Sequence, residues 1–575
     1  MTARLMQLSA GVRAAALTCG ALLSAGVSSD ALAQVVLVPP APQIGSSNPV
    51  TAEPPVSRPH THPCVVPLFE NLAFANYTPK VFAYTPPAAC PGPWEKVVFT
   101  ADFTVSAGRQ FDRTAAFYIG HASVYYGTTA EPRAALSPSW HVERDVTDLS
   151  AILISPQTGE ANLGNFVGVY DQVNYNGIIY ADAALEFYPS GAGQPPPRTP
   201  DVVVPVNSSG GDAGTLNTTA SEISATLELP RNTEQVYLDV IAQSQSNDEF
   251  WYFCVPNDQA ANLETCGNTP FRETEVTIDG QPAGVAPVYP WIYTGGIDPF
   301  LWEPIPGVQT LDFKPYRVNL TPFAAVLADG NPHVLAISVY NADSYFLATA
   351  NVLAYTDHGS AQVGGGLLSS TLAAVLPPVV TENISVNASG PAYTGSILVT
   401  SQRQFTISGF VDTSHGRVLT TLEQSVSFAS RQEFDVNPST DVQNVQQTSS
   451  VDSLVHTRSG GEDRVSEQHF SYPLLLDYSF VVNADGSATQ VTVSDQGDVE
   501  RETRSDATLR TLDNHVHSTD TLLFDASFNI TGNSGSATTQ QFRARDFAGG
   551  CYSRTLTAQA QKLVAVTDGP DCGQP

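Results

Sequence analysis

Cations are scarce in this chain: 26 Lys and Arg stand against 56 Asp and Glu, a formal net charge of −30 at pH 7. A surface of that sign repels phosphate backbones, which excludes a nucleic-acid partner. It suits a protein that stays soluble in an acidic medium, with a sequence pI near 4.5. Past the N-terminus no apolar run has the length of a bilayer span, so no membrane partner is expected. The sequence also lacks a C-x-x-C spacing, an H-E-x-x-H, a G-x-S-x-G and either common phosphate-binding glycine loop. No metal or cofactor is expected, and a pair of carboxylates is what remains as machinery if the chain is an enzyme. Long helical periodicity is missing too. With 42 Gly, 42 Pro and many Val, Thr, Tyr and Phe, the composition is that of an all-β protein.

The N-terminus carries Arg4 and Arg13, an apolar stretch over residues 14–27, and Ala31-Leu32-Ala33. That pattern predicts a secretory signal over residues 1–33, cut before Gln34, and a secreted or periplasmic mature protein. Cys19 falls inside the removed segment. The other six cysteines then read as disulfides, and of the fifteen connectivities proximity favours Cys64–Cys90, Cys254–Cys266 and Cys551–Cys572. His60/His62 and His515/His517 alternate as solvated pairs would, rather than as a ligand set.

At roughly 150 residues per domain, a chain of 575 residues holds about three or four units. Residues 34–59 form a Pro-rich leader. A first β-rich lobe is expected over 60–188, a Pro/Gly linker over 189–200, a second lobe over 201–356, a looser linker over 357–379 and a β-rich accessory domain over 380–575. The first two blocks repeat one unit. Residues 145–153 line up with 319–327; in each, Thr147 or Thr321 is placed as the N-cap of a short helical turn, with Pro322 at a tolerated first position. Asp279-Gly280 and Asp329-Gly330 are hairpin turns. Period-2 patterning with frequent turns predicts two adjacent jelly-roll-like antiparallel β-sandwich lobes.

Three runs carry chemistry. Gly108-Arg109-Gln110-Phe111-Asp112-Arg113 places an acid between arginines at a strand mouth, where a guanidinium favours the carboxylate. Its plain alternative is an ordinary Asp–Arg pair. Asn247-Asp248-Glu249-Phe250-Trp251-Tyr252 runs two acids into three aromatics, which can stack on a sugar and raise a nearby carboxyl pKa. Simple burial of those rings is equally compatible. Residues 289–302, with Trp291, Tyr293, Gly295-Gly296, Asp298 and Trp302, form a long aromatic loop that serves either as a plug or as a ligand surface. The binding surface expected from these runs comprises Arg109, Phe111, Asp248, Trp251, Trp291, Tyr293, Asp298 and Trp302.

These runs, with Thr128-Thr129-Ala130-Glu131-Pro132, residues 140–147, Ile292-Tyr293-Thr294-Gly295-Gly296-Ile297-Asp298-Pro299, Gly416-Arg417-Val418 and Phe470-Ser471-Tyr472-Pro473-Leu474, resemble the peptide-N-glycosidase A family. Those enzymes are acidic amidases that release N-glycans from Asn. A weaker resemblance is to bacterial peptide-N-glycosidase F, two adjacent jelly rolls with the active site at their junction. Its W-D-R-x-A-x-V-Y-V segment is similar to residues 111–119, and its E-W segment to Glu249-Phe250. The resemblance implies Asp112, Arg113 and Glu249 as catalytic groups with interchangeable roles. A further acid of that enzyme has no clear partner here, Asn165 or its neighbours standing in its place. The implied substrate is an N-glycosylated peptide or protein; a monomer is expected, and a secreted glycan-binding protein without turnover is the rival reading.

Overall fold

Alternation explains the first lobe. In the strand Trp94–Val105, Val97, Phe99, Ala101, Phe103 and Val105 point inward while Asp102 and Thr104 face solvent. The computed structural model describes residues 41–131, 135–170, 172–191, 196–386, 391–569 and 572; the expected signal segment lies outside them. Among the described residues thirty strands are joined by turns, and the two α-helices have four residues each. The protein is all-β.

One sheet of the first lobe orders Cys64–Phe74, Ile179–Pro189, Trp94–Val105 and Ser139–Asp145; the other orders Lys80–Tyr84, Gln157–Leu163, Thr114–Ile119 and Ala122–Thr128. Aromatic rings fill the space between them. Phe103 stacks on Trp140 at 5.1 Å and on Phe117 of the opposite sheet at 5.9 Å.

The second lobe repeats the plan. Val202–Val206, Phe346–Thr356, Thr233–Ser244 and Tyr316–Asn319 form one sheet; Ile223–Leu227, His333–Tyr340, Glu273–Ile278 and Gln281–Pro287 form the other. In both lobes a 3₁₀ turn (Thr147–Leu149, Thr321–Phe323) leads into a four-residue helix. The threonines are not N-caps. The N-cap positions are Val146 and Leu320, and Asp145 and Asn319 accept from the Thr147 and Thr321 amides at 3.0 Å as Asx turns leading into them. The two hydroxyls instead accept from strand amides, Val97 at 3.0 Å and Val236 at 3.4 Å. Asp279 (φ 50°) and Gly280 (φ 74°) make a hairpin turn with both residues left-handed.

The three cysteine pairs favoured by proximity are bonded: Cys64–Cys90, Cys254–Cys266 and Cys551–Cys572. Two stretches differ from expectation. Gly364–Ser370, inside the expected 357–379 linker, is a strand paired with Tyr393–Thr413. Its glycines are there for close approach: a Cβ on Gly365 (φ +144°) would lie 2.1 Å from the Phe410 carbonyl oxygen. The leader is strapped down, with the Val50 amide donating to Pro304 O at 2.8 Å and the Ala52 amide to Gln540 Oε1 at 2.7 Å.

The C-terminal region is an eleven-stranded antiparallel sheet, a meander whose strands reach 22 residues. It shares its core with the second lobe, where Leu474, Leu476, Val516 and Phe542 belong to one buried cluster with Trp251, Trp291 and Trp302. Its inner face is studded with amides and hydroxyls that reach second-lobe backbone. Gln432 Nε2 donates to Tyr252 O and Cys254 O at 3.1 Å, Gln443 Nε2 to Phe253 O at 2.8 Å, and Gln496 Nε2 to Pro290 O at 2.6 Å.

Candidate active site

Gly108 starts the loop that carries Asp112. Its φ of +148° is tolerated by glycine alone, and a Cβ would lie 2.5 Å from Asn176 Oδ1. Gln110, 1% exposed, is the hub of this loop. Its Nε2 donates to Gly177 O at 2.9 Å and Phe166 O at 3.1 Å, while its Oε1 accepts from the Phe111 amide at 3.0 Å and Arg113 Nη2 at 2.7 Å. Arg113 then exchanges backbone contacts with Thr129: its amide donates to Thr129 Oγ1 at 2.9 Å, and the Thr129 amide donates back to its carbonyl at 2.8 Å. Asp112 is fixed between these two tethers.

The second lobe meets it there. The Gly295 amide donates to Asp112 Oδ2 at 2.9 Å. Thr294 Oγ1 donates to Thr129 O at 2.9 Å and accepts from the Glu131 amide at 2.8 Å, which locks the two lobes' loops together. Burial pushes the Asp112 carboxyl above its usual range, while the Gly295 N–H and the Arg113 charge pull it back toward ionisation.

Glu249 follows the 3₁₀ turn Ser246–Asp248 at the end of the strand Thr233–Ser244. Asp248 is wholly buried and anchors the turn. Its Oδ1 pairs with Arg272 Nη2 at 2.9 Å, and its Oδ2 accepts from the Asp343 and Ser344 amides at 2.7 and 3.0 Å. The Glu249 carboxyl is pushed up to about 7, first by burial and then by the charge of Asp112. Two carboxyls from two lobes therefore come near enough for the charge of Asp112 to raise Glu249.

Arg109 and Phe111 sit at the rim. Phe111 is 40% exposed and lies 5.2 Å from the Tyr175 ring, over which the Arg109 guanidinium stands at 5.7 Å. The other residues expected to bind substrate are interior. Trp251, Trp291 and Trp302 are at most 3% exposed, and Asp248 and Asp298 are fully buried. Trp291 stacks on Phe313 at 4.2 Å; Trp302 Nε1 donates to Gly296 O at 2.9 Å; Asp298 Oδ1 caps the Pro299–Trp302 turn through the Phe300 amide at 3.0 Å. Tyr293, also buried, donates through its hydroxyl to Ser244 O. These side chains hold the loops.

Three groups escaped the sequence reading. Glu131 reaches the same glycine as Asp112: a Cβ on Gly295 would lie 2.0 Å from Glu131 Oε2 and 3.3 Å from Asp112 Oδ1. Its place in Thr128-Thr129-Ala130-Glu131 was the available signal. Half-buried Tyr345 lies near Glu249; burial raises its phenol first, and the Glu249 charge raises it further. The Gly295 amide gave no signal, since a backbone donor has no sequence signature.

Residues 49–371, more than half of the chain, match the family described as peptide N-acetyl-beta-D-glucosaminyl asparaginase amidase A, and residues 396–474 match the C-terminal domain of the same family. A peptide-N4-(N-acetyl-beta-glucosaminyl)asparagine amidase A of Prunus dulcis is 26% identical over 542 residues, 90% of this chain and 92% of that one. The solved structure of PNGase F, a glycosylasparaginase from Flavobacterium meningosepticum, is 15% identical with a TM-score of 0.33, covering 51% of this chain and 96% of that chain. With both of its matched segments in order along the chain, this protein belongs to the peptide N-acetyl-beta-D-glucosaminyl asparaginase amidase A family.

Proposed function

We propose that this protein hydrolyses the amide that joins an N-glycan to asparagine in glycopeptides and glycoproteins, with Asp112 and Glu249 as its acid–base pair. The observation that carries the reading is the meeting of these two carboxyls from different lobes in a chain of an amidase family. Their environments differ in the way a division of labour requires. Burial raises Asp112, but the Gly295 N–H and the Arg113 guanidinium favour its charge, and that charge acts on Glu249. Glu249 keeps its proton up to about pH 7.

Asp112 removes a proton from water as the water oxygen adds to the amide carbon. Arg113 stabilises the oxyanion that forms. Glu249 gives its proton to the nitrogen as the carbon–nitrogen bond breaks, which leaves aspartate in the peptide and a glycosylamine that loses ammonia to a second water. Arg109 and Phe111 contact the substrate at the rim. This chemistry needs no metal and works on the acid side of neutrality. The three disulfides support export, and the chain acts as a monomer.

Incubation with a denatured glycoprotein in ¹⁸O water is the test. The expected result is free glycan together with labelled aspartate at the former glycosylation site. Asp112→Asn, with folding checked by circular dichroism, is expected to lower the rate by about 10²–10⁴-fold. Full release by that variant overturns the assignment, and an N-acetylglucosamine left on Asn identifies a glycosidase instead.

A further inference from the structure

A cavity of about 400 Å³ lies where the Glu249 loop meets the C-terminal sheet, within the size range of small-ligand sites. Phe250 and Phe253 come from that loop, Ile297 from the loop carrying Gly295, and Asp441 and Tyr478 from the sheet. The Phe253 and Tyr478 rings stand 6.3 Å apart at 69°. The Phe250 ring lies 3.4 Å from where a Gly296 Cβ would be, so this wall of the cavity also backs the glycine pair beside Asp112.

Two features mark the cavity as built. Ser246 and Ile297, both lining it, hold φ of 54° and 62°. For a β-branched residue such as Ile297 that conformation is a genuine outlier, and strain of this kind gathers at functional sites. Ile297 is held in it by the C-terminal sheet, where Gln490 Nε2 donates to its carbonyl at 3.1 Å. Secondly, Asn247, Asp441 and Tyr478 all line the cavity, and among the described residues none of their side chains makes a hydrogen bond. The Tyr478 phenol is pushed up first by burial and then by the charge of Asp441. Half-buried aromatic rings beside unpaired carboxyl, amide and hydroxyl groups fit a ring with one apolar face and a hydroxylated edge.

We propose that this cavity is a saccharide subsite that takes a sugar unit of the N-glycan beyond the one at the cleaved bond. The proposal rests on the amidase reading. It gives the C-terminal sheet a part in substrate selection, since the sheet supplies Asp441 and Tyr478 and sets Ile297. An apolar side chain of the peptide is the competing occupant, but it would leave three polar groups unanswered in the complex.

The test compares Tyr478→Ala and Asp441→Asn with the unaltered enzyme on one peptide bearing either a full N-glycan or a single N-acetylglucosamine. A loss of about tenfold in kcat/KM on the full glycan, with less than about twofold change on the single sugar, supports the subsite. Equal losses on both substrates, no loss, or a loss that follows peptide length overturns it. Calorimetric titration of the released oligosaccharide into the unaltered protein and Tyr478→Ala separates the two proposals. Binding weakened by the substitution keeps the subsite even if the unaltered protein releases no glycan, while unchanged binding overturns the subsite whatever the amidase assay gives.

Discussion

In the proposed reaction Glu249 sets the direction of the expected pH dependence. Its carboxyl is pushed up to about 7 by burial and by Asp112, so as a proton donor it works below that value and activity falls as pH rises through it. The same shift stabilises the fold on the acid side: this group's contribution is fully present below its ordinary 4.5 and is lost as pH rises through about 7. Asp112→Asn removes the like charge, and the Glu249 titration followed by carboxyl NMR is expected to move down; an unmoved titration would separate the two groups. Gly295→Ala is a sharper probe. Its Cβ would collide with Glu131 Oε2 and crowd Asp112 Oδ1, with no positive φ to complicate the result. Activity should drop on the order of 100-fold, as for a catalytic group displaced by about 1 Å, while the melting temperature stays near that of the parent. The acids were visible as residues flanked by arginine or aromatics. Glu131 was visible only as a member of a run, because its nearness to Asp112 depends on a glycine 164 positions away in the second lobe.

At the scale of elements, the Ser246–Asp248 turn is held by charge rather than by its own short ladder. Asp248 and Arg272 are both buried, and the carboxylate also accepts two amides from the Asp343–Ser344 turn. Asp248→Ala leaves the guanidinium uncompensated and is expected to cost about 3–5 kcal/mol, read as a lower urea midpoint. Wild-type stability in that variant would show that the turn is anchored elsewhere. This element also shows where sequence reading stops. Two adjacent acids and three aromatics look alike in the chain, yet Asp248 and Trp251 are wholly buried while Glu249 and Phe250 are only half-buried. A 3₁₀ turn with Ser246 at positive φ decides between them, and neither propensity nor alternation announces such a turn. The repeated helical turns of the two lobes were legible as a pattern, but their capping was not, because the threonine hydroxyls found strand amides distant in sequence.

For the whole molecule, the C-terminal sheet is a scaffold for the site. It shares a core with the second lobe and holds the Tyr252–Cys254 and Pro290–Ile297 backbones through glutamine side chains. A chain ending at Val386 strips that core and leaves those carbonyls without their donors. It is expected to lack a cooperative urea transition and to release no glycan; release by the truncated chain would show that the two lobes suffice. Calorimetry of the full chain should show the second lobe and C-terminal sheet melting together, since one cluster of buried side chains serves both.

Alternation, turn residues and cysteine spacing are local, so the sequence alone pointed to the strands, the repeat of two lobes, the favoured disulfide pairs and the acids worth watching. Which acid faces solvent, which tryptophans are structural, and how a glycine amide comes to rest on Asp112 depend on contacts between chain segments far apart in sequence. Only the tertiary structure decided those, because the desolvation and coulombic effects that shift a carboxyl are set by neighbours in space.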